Sequence, residues 1–157
     1  MIVILEGVDG SGKTTLLKTL NEQFGYEILI VNNKEDLDEW LNDLIDYSNK
    51  TVITDRSFIG DLVYRLWDNK PRRGMSLNAM CLILLETKII HCESGTEFND
   101  SMLRGEDFVV TKKDSDIIKS YYNIFMKTFE KFLDAKICKY NWHDDSIDKV
   151  IKFIEEA

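Results

Sequence analysis

Gly7-Val8-Asp9-Gly10-Ser11-Gly12-Lys13-Thr14 is the stretch that decides the fold, because it satisfies G-x-x-x-x-G-K-[ST]. At average composition such a match arises by chance in roughly one chain of this length in two hundred. Its setting sharpens it further. Ile2-Val3-Ile4-Leu5-Glu6 leads in as an apolar strand, and Leu16, Leu17 and Leu20 follow at helical spacing. Glycines at Gly7, Gly10 and Gly12 let backbone amides turn inward and cradle a polyphosphate, to which the following helix presents its positive end. In such a loop Lys13 reaches the β- and γ-phosphates and the Thr14 hydroxyl ligates Mg²⁺.

Outward from that loop, apolar β-branched runs alternate with helical patterns. Strands are expected at Ile2 to Glu6, Tyr26 to Val31, Thr51 to Asp55, Lys88 to Cys92 and Lys136 to Tyr140. Between them, Leu37, Trp40, Leu41, Leu44 and Ile45 share one helix face, as do Ile118, Tyr121, Tyr122, Phe125, Phe129, Phe132 and Leu133 farther on. Ile147, Val150, Ile151 and Ile154 mark a last helix. Asp68 to Gly74 and Glu93 to Asp107 carry the loop signals. Alternation of this kind predicts an α/β fold, a parallel sheet with helices on both faces, and residues 1–157 as one domain.

Hydrophobic residues make up 44% and charged residues 31% of the 157, which excludes a disordered chain. No apolar run is long enough for a membrane span, and Met1 enters the first strand with no secretory leader in view. Cys81, Cys92 and Cys138 share no metal-like spacing and suit a reducing cytoplasm. Acids outnumber bases 28 to 20, a net charge of -8, which argues against duplex nucleic acid as a partner. All five arginines nevertheless lie between Arg56 and Arg104, and arginine suits bidentate phosphate recognition. Asp55 ends the third strand, where a carboxylate beside Thr14 can hold Mg²⁺ through water, and Arg56 follows where phosphates would meet. Asn33-Lys34-Glu35-Asp36 spells the guanine motif N-K-x-D, but no D-x-x-G switch follows the third strand, so a solvated helix start is the better reading.

Glu6 to Thr15 resembles the phosphate loop of thymidylate kinases, and Thr54-Asp55-Arg56-Ser57 with Asp61-Leu62-Val63-Tyr64-Arg65 resembles their D-R segment, in the form of short phage-encoded members. Deoxynucleoside kinases share that fold, a five-stranded parallel sheet flanked by helices with an arginine-bearing lid. The resemblance implies ATP bound by Gly7, Gly10, Ser11, Gly12, Lys13, Thr14 and Thr15, with Mg²⁺ on Thr14 and Asp55. It implies Asp9 on the sugar 3′-hydroxyl and Arg56 on the transferring phosphates. A lid at about 93–112 would bring Arg104 over the donor. Tyr64, Arg65 and Arg73 would face the acceptor. A phage-encoded member would work in the host cytoplasm on small-molecule nucleotides, and relatives often pair through helices beside the sheet, which leaves a homodimer open.

Acceptor chemistry separates the two kinase classes. A nucleoside must lose a proton and needs a general base, whereas a monophosphate arrives anionic and needs positive charge and alignment. After the second strand the chain reads Ile30-Val31-Asn32-Asn33, without the arginine thymidylate kinases place there, so Arg65 or Arg73 would have to grip the acceptor phosphate. Asp9, the Asp55-Arg56 pair and the clustered arginines favour a deoxynucleoside monophosphate, dTMP first. A deoxynucleoside kinase and a nucleotide-binding non-enzyme are the alternatives.

Overall fold

The computed structural model describes residues 1–30, 50–71, 84, 87–103 and 111–157. Five strands, β1 (Ile2–Glu6), β2 (Glu27–Ile30), β3 (Val52–Asp55), β4 (Thr87–Cys92) and β5 (Lys136–Tyr140), form one sheet in the order β2-β3-β1-β4-β5. Every pairing is parallel. The expected strands are thus all present. The helix expected over Leu37 to Ile45 lies outside the described residues, as does Cys81. Cys92 and Cys138 are buried free thiols, and burial pushes the Cys92 thiol up to about 12.

Side chains alternate across the sheet, as the period of a strand requires. Ile4 and Ile89 face one layer, where α2 (Phe58–Trp67) and α4 (Lys112–Leu133) bury Phe58, Ile59, Val63, Ile118, Tyr122 and Met126. Val3, Leu5, Ile53 and Ile90 face the other. There α1 (Lys13–Phe24) contributes Leu16, Leu17 and Leu20, and α5 (Ile147–Glu155) contributes Val150 and Ile154. Both faces are covered, so the strands read as near-continuous apolar runs.

Local signals set the helix ends. Ser57 caps α2 by accepting a hydrogen bond from Ile59 N, and Thr111 caps α4 by accepting one from Asp114 N. Gly25 ends α1 in the left-handed region at φ 72°. Lys88 on β4 donates through Nζ to the carbonyls of Phe153, at 2.6 Å, and of Ile154 and Glu156, fixing the last turn of α5 to the sheet. A cation at a helix C-terminus also meets the negative end of its dipole.

One expectation needs correction. Glu93 to Asp107, read as loop, contains a helix, α3 (Glu97–Leu103). Seven residues are too few for an apolar period to stand out, but Ser94-Gly95-Thr96-Glu97 carries the S-x-x-E spacing that often precedes a helix. Glu97 Oε1 reaches back to accept from Ser94 N at 2.7 Å and Gly95 N at 3.0 Å. Residues 104–110 lie outside the description, so the proposed lid is described only in part.

Candidate active site

Parallel alignment brings the carboxyl ends of β1 and β3 together, the place where open α/β sheets receive ligands. Leu5 is in register with Asp55, and the loop from Gly7 to Thr14 leaves β1 beside it. Gly10 and Gly12 have φ of 83° and 85°, a region other residues enter only at a cost. Crowding reinforces the requirement. A Cβ on Gly10 would lie 2.0 Å from the Glu97 carbonyl oxygen, so α3 seats directly on the loop. One on Gly12 would lie 2.5 Å from the Trp142 ring. Gly12 offers no side chain to cap α1, and no acid stands in its first turn, which leaves the first-turn amides to a ligand.

A cleft of about 180 Å³ opens here, lined by Val8, Asp9, Gly10, Ser11, Lys13 and Thr14 of the loop together with Asp55 and Arg56. Its charges come in two pairs. Lys13 Nζ meets Asp55 Oδ1 at 3.1 Å. Arg56 Nη2 meets Asp9 Oδ1 at 2.5 Å, and its guanidinium stacks 5.1 Å from the Tyr64 ring centre. Tyr64 Oη in turn accepts from Asp9 N at 3.3 Å. Burial works against the charge on Arg56, but Tyr122, Tyr64, Asp9 and Glu6 around it hold its pKa well above the ordinary value. Burial raises the pKa of Tyr64, so its hydroxyl is neutral. Asp9 Oδ2 is buried with no hydrogen-bond partner among the described residues, as is Ser11 Oγ.

Arg56 has φ 70°, the left-handed region, although it carries a side chain. Such a residue persists only where its surroundings hold it. Arg56 N donates to Leu5 O at 3.1 Å. On its other side Glu6, fully buried at the end of β1, accepts from Ser57 Oγ at 2.6 Å, Gly60 N at 3.0 Å and Tyr122 Oη at 3.0 Å. Burial raises the Glu6 pKa, opposed by Ser57, Arg56, Gly60 and Lys13.

Of the expected site residues, Asp9, Gly10, Ser11, Lys13, Thr14, Asp55 and Arg56 share the cleft, with Tyr64 packed behind. Gly7 and Thr15 flank it in sequence, and Thr15 is exposed. Arg65 is turned elsewhere. Its Nε pairs with Asp61 at 3.1 Å and its Nη1 donates to Pro71 O at 3.1 Å, so it does not line the cleft. That (i, i+4) pairing is visible in the sequence spacing. Arg73 and Arg104 lie outside the described residues. Glu6, Tyr122, Glu97 and Trp142 were missed as members of this neighbourhood. Glu97 alone had a local signal, the S-x-x-E spacing from Ser94. Its burial favours protonation, but backbone amides and Lys119, 3.1 Å away, hold its pKa below the usual range.

Thr14 and Asp55 offer a hydroxyl and a partly exposed carboxylate on one cleft, hard oxygen donors that fit Mg²⁺. Among the described residues no cluster of three or more His, Cys, Asp or Glu could hold a metal, and an ion held largely by phosphate oxygens and water needs none. Nor, among these residues, is any helix long and apolar enough to cross a membrane.

No family model matches this sequence, and no curated protein matches it. Solved structures do. The YorR protein of Bacillus subtilis, solved in complex with phosphorylated GDP, is similar over 98% of this chain and 93% of its own, with TM-score 0.69 and 22% identity. Deoxyadenosine kinase from M. mycoides, with dCMP and a flexible dCDP bound, covers 99% of this chain and 95% of its own, with TM-score 0.62 and 15% identity. The same enzyme with bound dATP covers 96% of each chain at TM-score 0.62 and 17% identity. At these identities the likeness is one of architecture, and with the phosphate loop at the head of its parallel sheet, this chain has the P-loop kinase fold.

Proposed function

We propose that this protein transfers the γ-phosphoryl group of Mg-ATP to a deoxynucleoside monophosphate, dTMP first. One observation carries the reading. Asp9 and Arg56 meet on the wall of the phosphate-loop cleft, and Asp9 keeps a buried oxygen without a partner among the described residues. A carboxylate oxygen so placed accepts a sugar hydroxyl, while the adjacent guanidinium meets phosphate.

The chemistry asks little covalent work of the chain. Loop amides and Lys13 would hold the donor phosphates, Lys13 exchanging Asp55 for phosphate oxygens as the nucleotide enters. Thr14 and Asp55 would hold Mg²⁺, which neutralises charge on the β- and γ-oxygens. Arg56 would meet charge that grows on the transferring group, where preorganised electrostatics contribute most. Arg104, arriving from the segment after α3, would complete the enclosure and exclude water. A monophosphate acceptor is already anionic and needs no base from this chain.

A second reading, a deoxynucleoside kinase, is favoured by two observations. Arg65, a candidate for the acceptor phosphate, is engaged by Asp61 and Pro71, and one similar structure is a deoxyadenosine kinase. A coupled assay with Mg-ATP and paired acceptors, each deoxynucleoside beside its monophosphate, tests the proposal. The expected result is ADP release with dTMP and none with thymidine. Conversion of a nucleoside to its monophosphate would give the chain to the second reading.

A further inference from the structure

Arg56 needs an external reason for its left-handed backbone, and the structure supplies one from each side. Leu5 O accepts from Arg56 N at 3.1 Å, and the next residue of β1, Glu6, accepts from Ser57 Oγ at 2.6 Å. Glu6 is fully buried, and each of its three partners is equipped to donate. Gly60 N can only donate. Ser57 Oγ already accepts from Ile59 N at 3.1 Å, so its one proton is free for Glu6. Tyr122 Oη supplies the third bond from α4, 116 residues away in sequence. This set suits a carboxylate, an acceptor-only group. The result ties the end of β1, the start of α2 and the middle of α4 together at Ser57, the residue that follows Arg56.

We infer that Glu6 is a positioning residue: its carboxylate, stapled to Ser57, Gly60 and Tyr122, holds Arg56 in the left-handed turn that aims its guanidinium into the phosphate-loop cleft. Glu6 itself touches no substrate. The inference rests on the reading of Arg56 as a phosphate contact, but the turn it describes can be examined without turnover. Replacing the carboxylate by an amide keeps shape and lets the remaining oxygen hold Ser57 and Gly60, while the new amide donates to Tyr122 Oη. Glu6→Gln therefore keeps the shape of the site but weakens the staple: the charge that strengthens all three bonds is gone, and the Tyr122 proton loses its acceptor.

Two measurements test it. In phosphoryl transfer, Glu6→Gln is expected to lower kcat at least ~10-fold with KM for Mg-ATP within ~3-fold, the pattern of a contact expressed in the transition state. On an Arg56→Ala background the same change should cost less than ~2-fold, because no guanidinium remains to be positioned. An undiminished loss on that background would overturn the inference. The second measurement is the Arg56 Nε–Hε resonance of the ligand-free protein, assigned by its disappearance in Arg56→Ala. It should stand apart from the position of solvent-exposed arginines and collapse toward it in Glu6→Gln. An unmoved resonance would also overturn the inference. If Glu6→Gln loses its near-ultraviolet circular dichroism, Ser57→Ala, which cuts the staple at its Arg56 end, takes its place in both arms with the same expectations. Should the wild-type protein transfer phosphoryl to no acceptor, the functional reading fails, and the resonance still decides the role of Glu6.

Discussion

The two oxygens of Asp9 sit in different states. Its Oδ1 is committed to Arg56, while Oδ2 is buried with no partner among the described residues, a costly state for a carboxylate unless a ligand completes it. If that ligand is a sugar hydroxyl, Asp9→Asn should raise KM for dTMP by about tenfold or more, the cost of a charged hydrogen bond. A 3′-deoxy acceptor should lose less than ~3-fold from the same change. Equal losses would mean that Asp9 acts only through Arg56. Lys13, Thr14, Asp55 and Arg56 were legible in the sequence because loop spacing and strand ends specify them locally. The Glu6–Tyr122 bond was not, since neither residue carries a pattern that reaches across 116 positions.

Among elements, the contact of α3 with the phosphate loop stands out. The Gly10 backbone lies against Glu97 and Ser101, and Glu97 is held by the Ser94 and Gly95 amides and by Lys119. α3 is thus seated on the loop that would bind nucleotide. Gly10→Ala should therefore be costly in two ways, by its left-handed φ of 83° and by a clash with backbone at 2.0 Å. Together these amount to about 2–4 kcal/mol, a drop in Tm of roughly 5–15 °C for a chain of this size. Gly25→Ala is the matching control. Gly25 also has positive φ, 72°, but open space around its Cα, so only the conformational cost of about 1–2 kcal/mol applies. Equal melting shifts for the two variants would show that α3 does not rest on Gly10. The strands were readable as β-branched runs and the long helix α4 by its period. A seven-residue helix offers fewer than two turns of pattern, so only the S-x-x-E spacing ahead of it could have betrayed α3.

For the whole molecule, the two apolar layers leave one buried imidazole beside the site. His91 on β4 lies next to Glu6 in register, its ring 5.8 Å from that of Tyr122, and Nδ1 has no partner among the described residues. Burial pulls its pKa down to about 4. The unfolded chain thus takes a proton near pH 6.5 that the folded chain refuses until about pH 4. Stability attributable to His91 is complete above pH 6.5 and falls as pH drops through that window, by about 3 kcal/mol in total. Glu6, whose pKa is raised, contributes in the opposite sense, so the comparison is between two proteins that both contain it. Denaturant titrations from pH 7.5 to 4 should show His91→Phe losing less stability than wild type. Parallel curves would place His91 in contact with water or with a hydrogen-bond acceptor that stabilises the imidazolium.

In a chain of net charge -8, the cleft places Lys13 and Arg56 beside Asp55 and Asp9, so its charges balance locally where the rest of the chain is acidic. That contrast is what a small anionic ligand would read, and phosphoryl transfer is the central claim built on it. Its most direct test is transfer of label from [γ-³²P]ATP, with Mg²⁺, to unlabelled dTMP, with products separated by chromatography and Lys13→Ala as control. Labelled dTDP formed by the wild-type protein and lost in the variant is the predicted result. Absence of any labelled nucleotide across the whole panel of nucleosides and monophosphates, or equal labelling by Lys13→Ala, would contradict it.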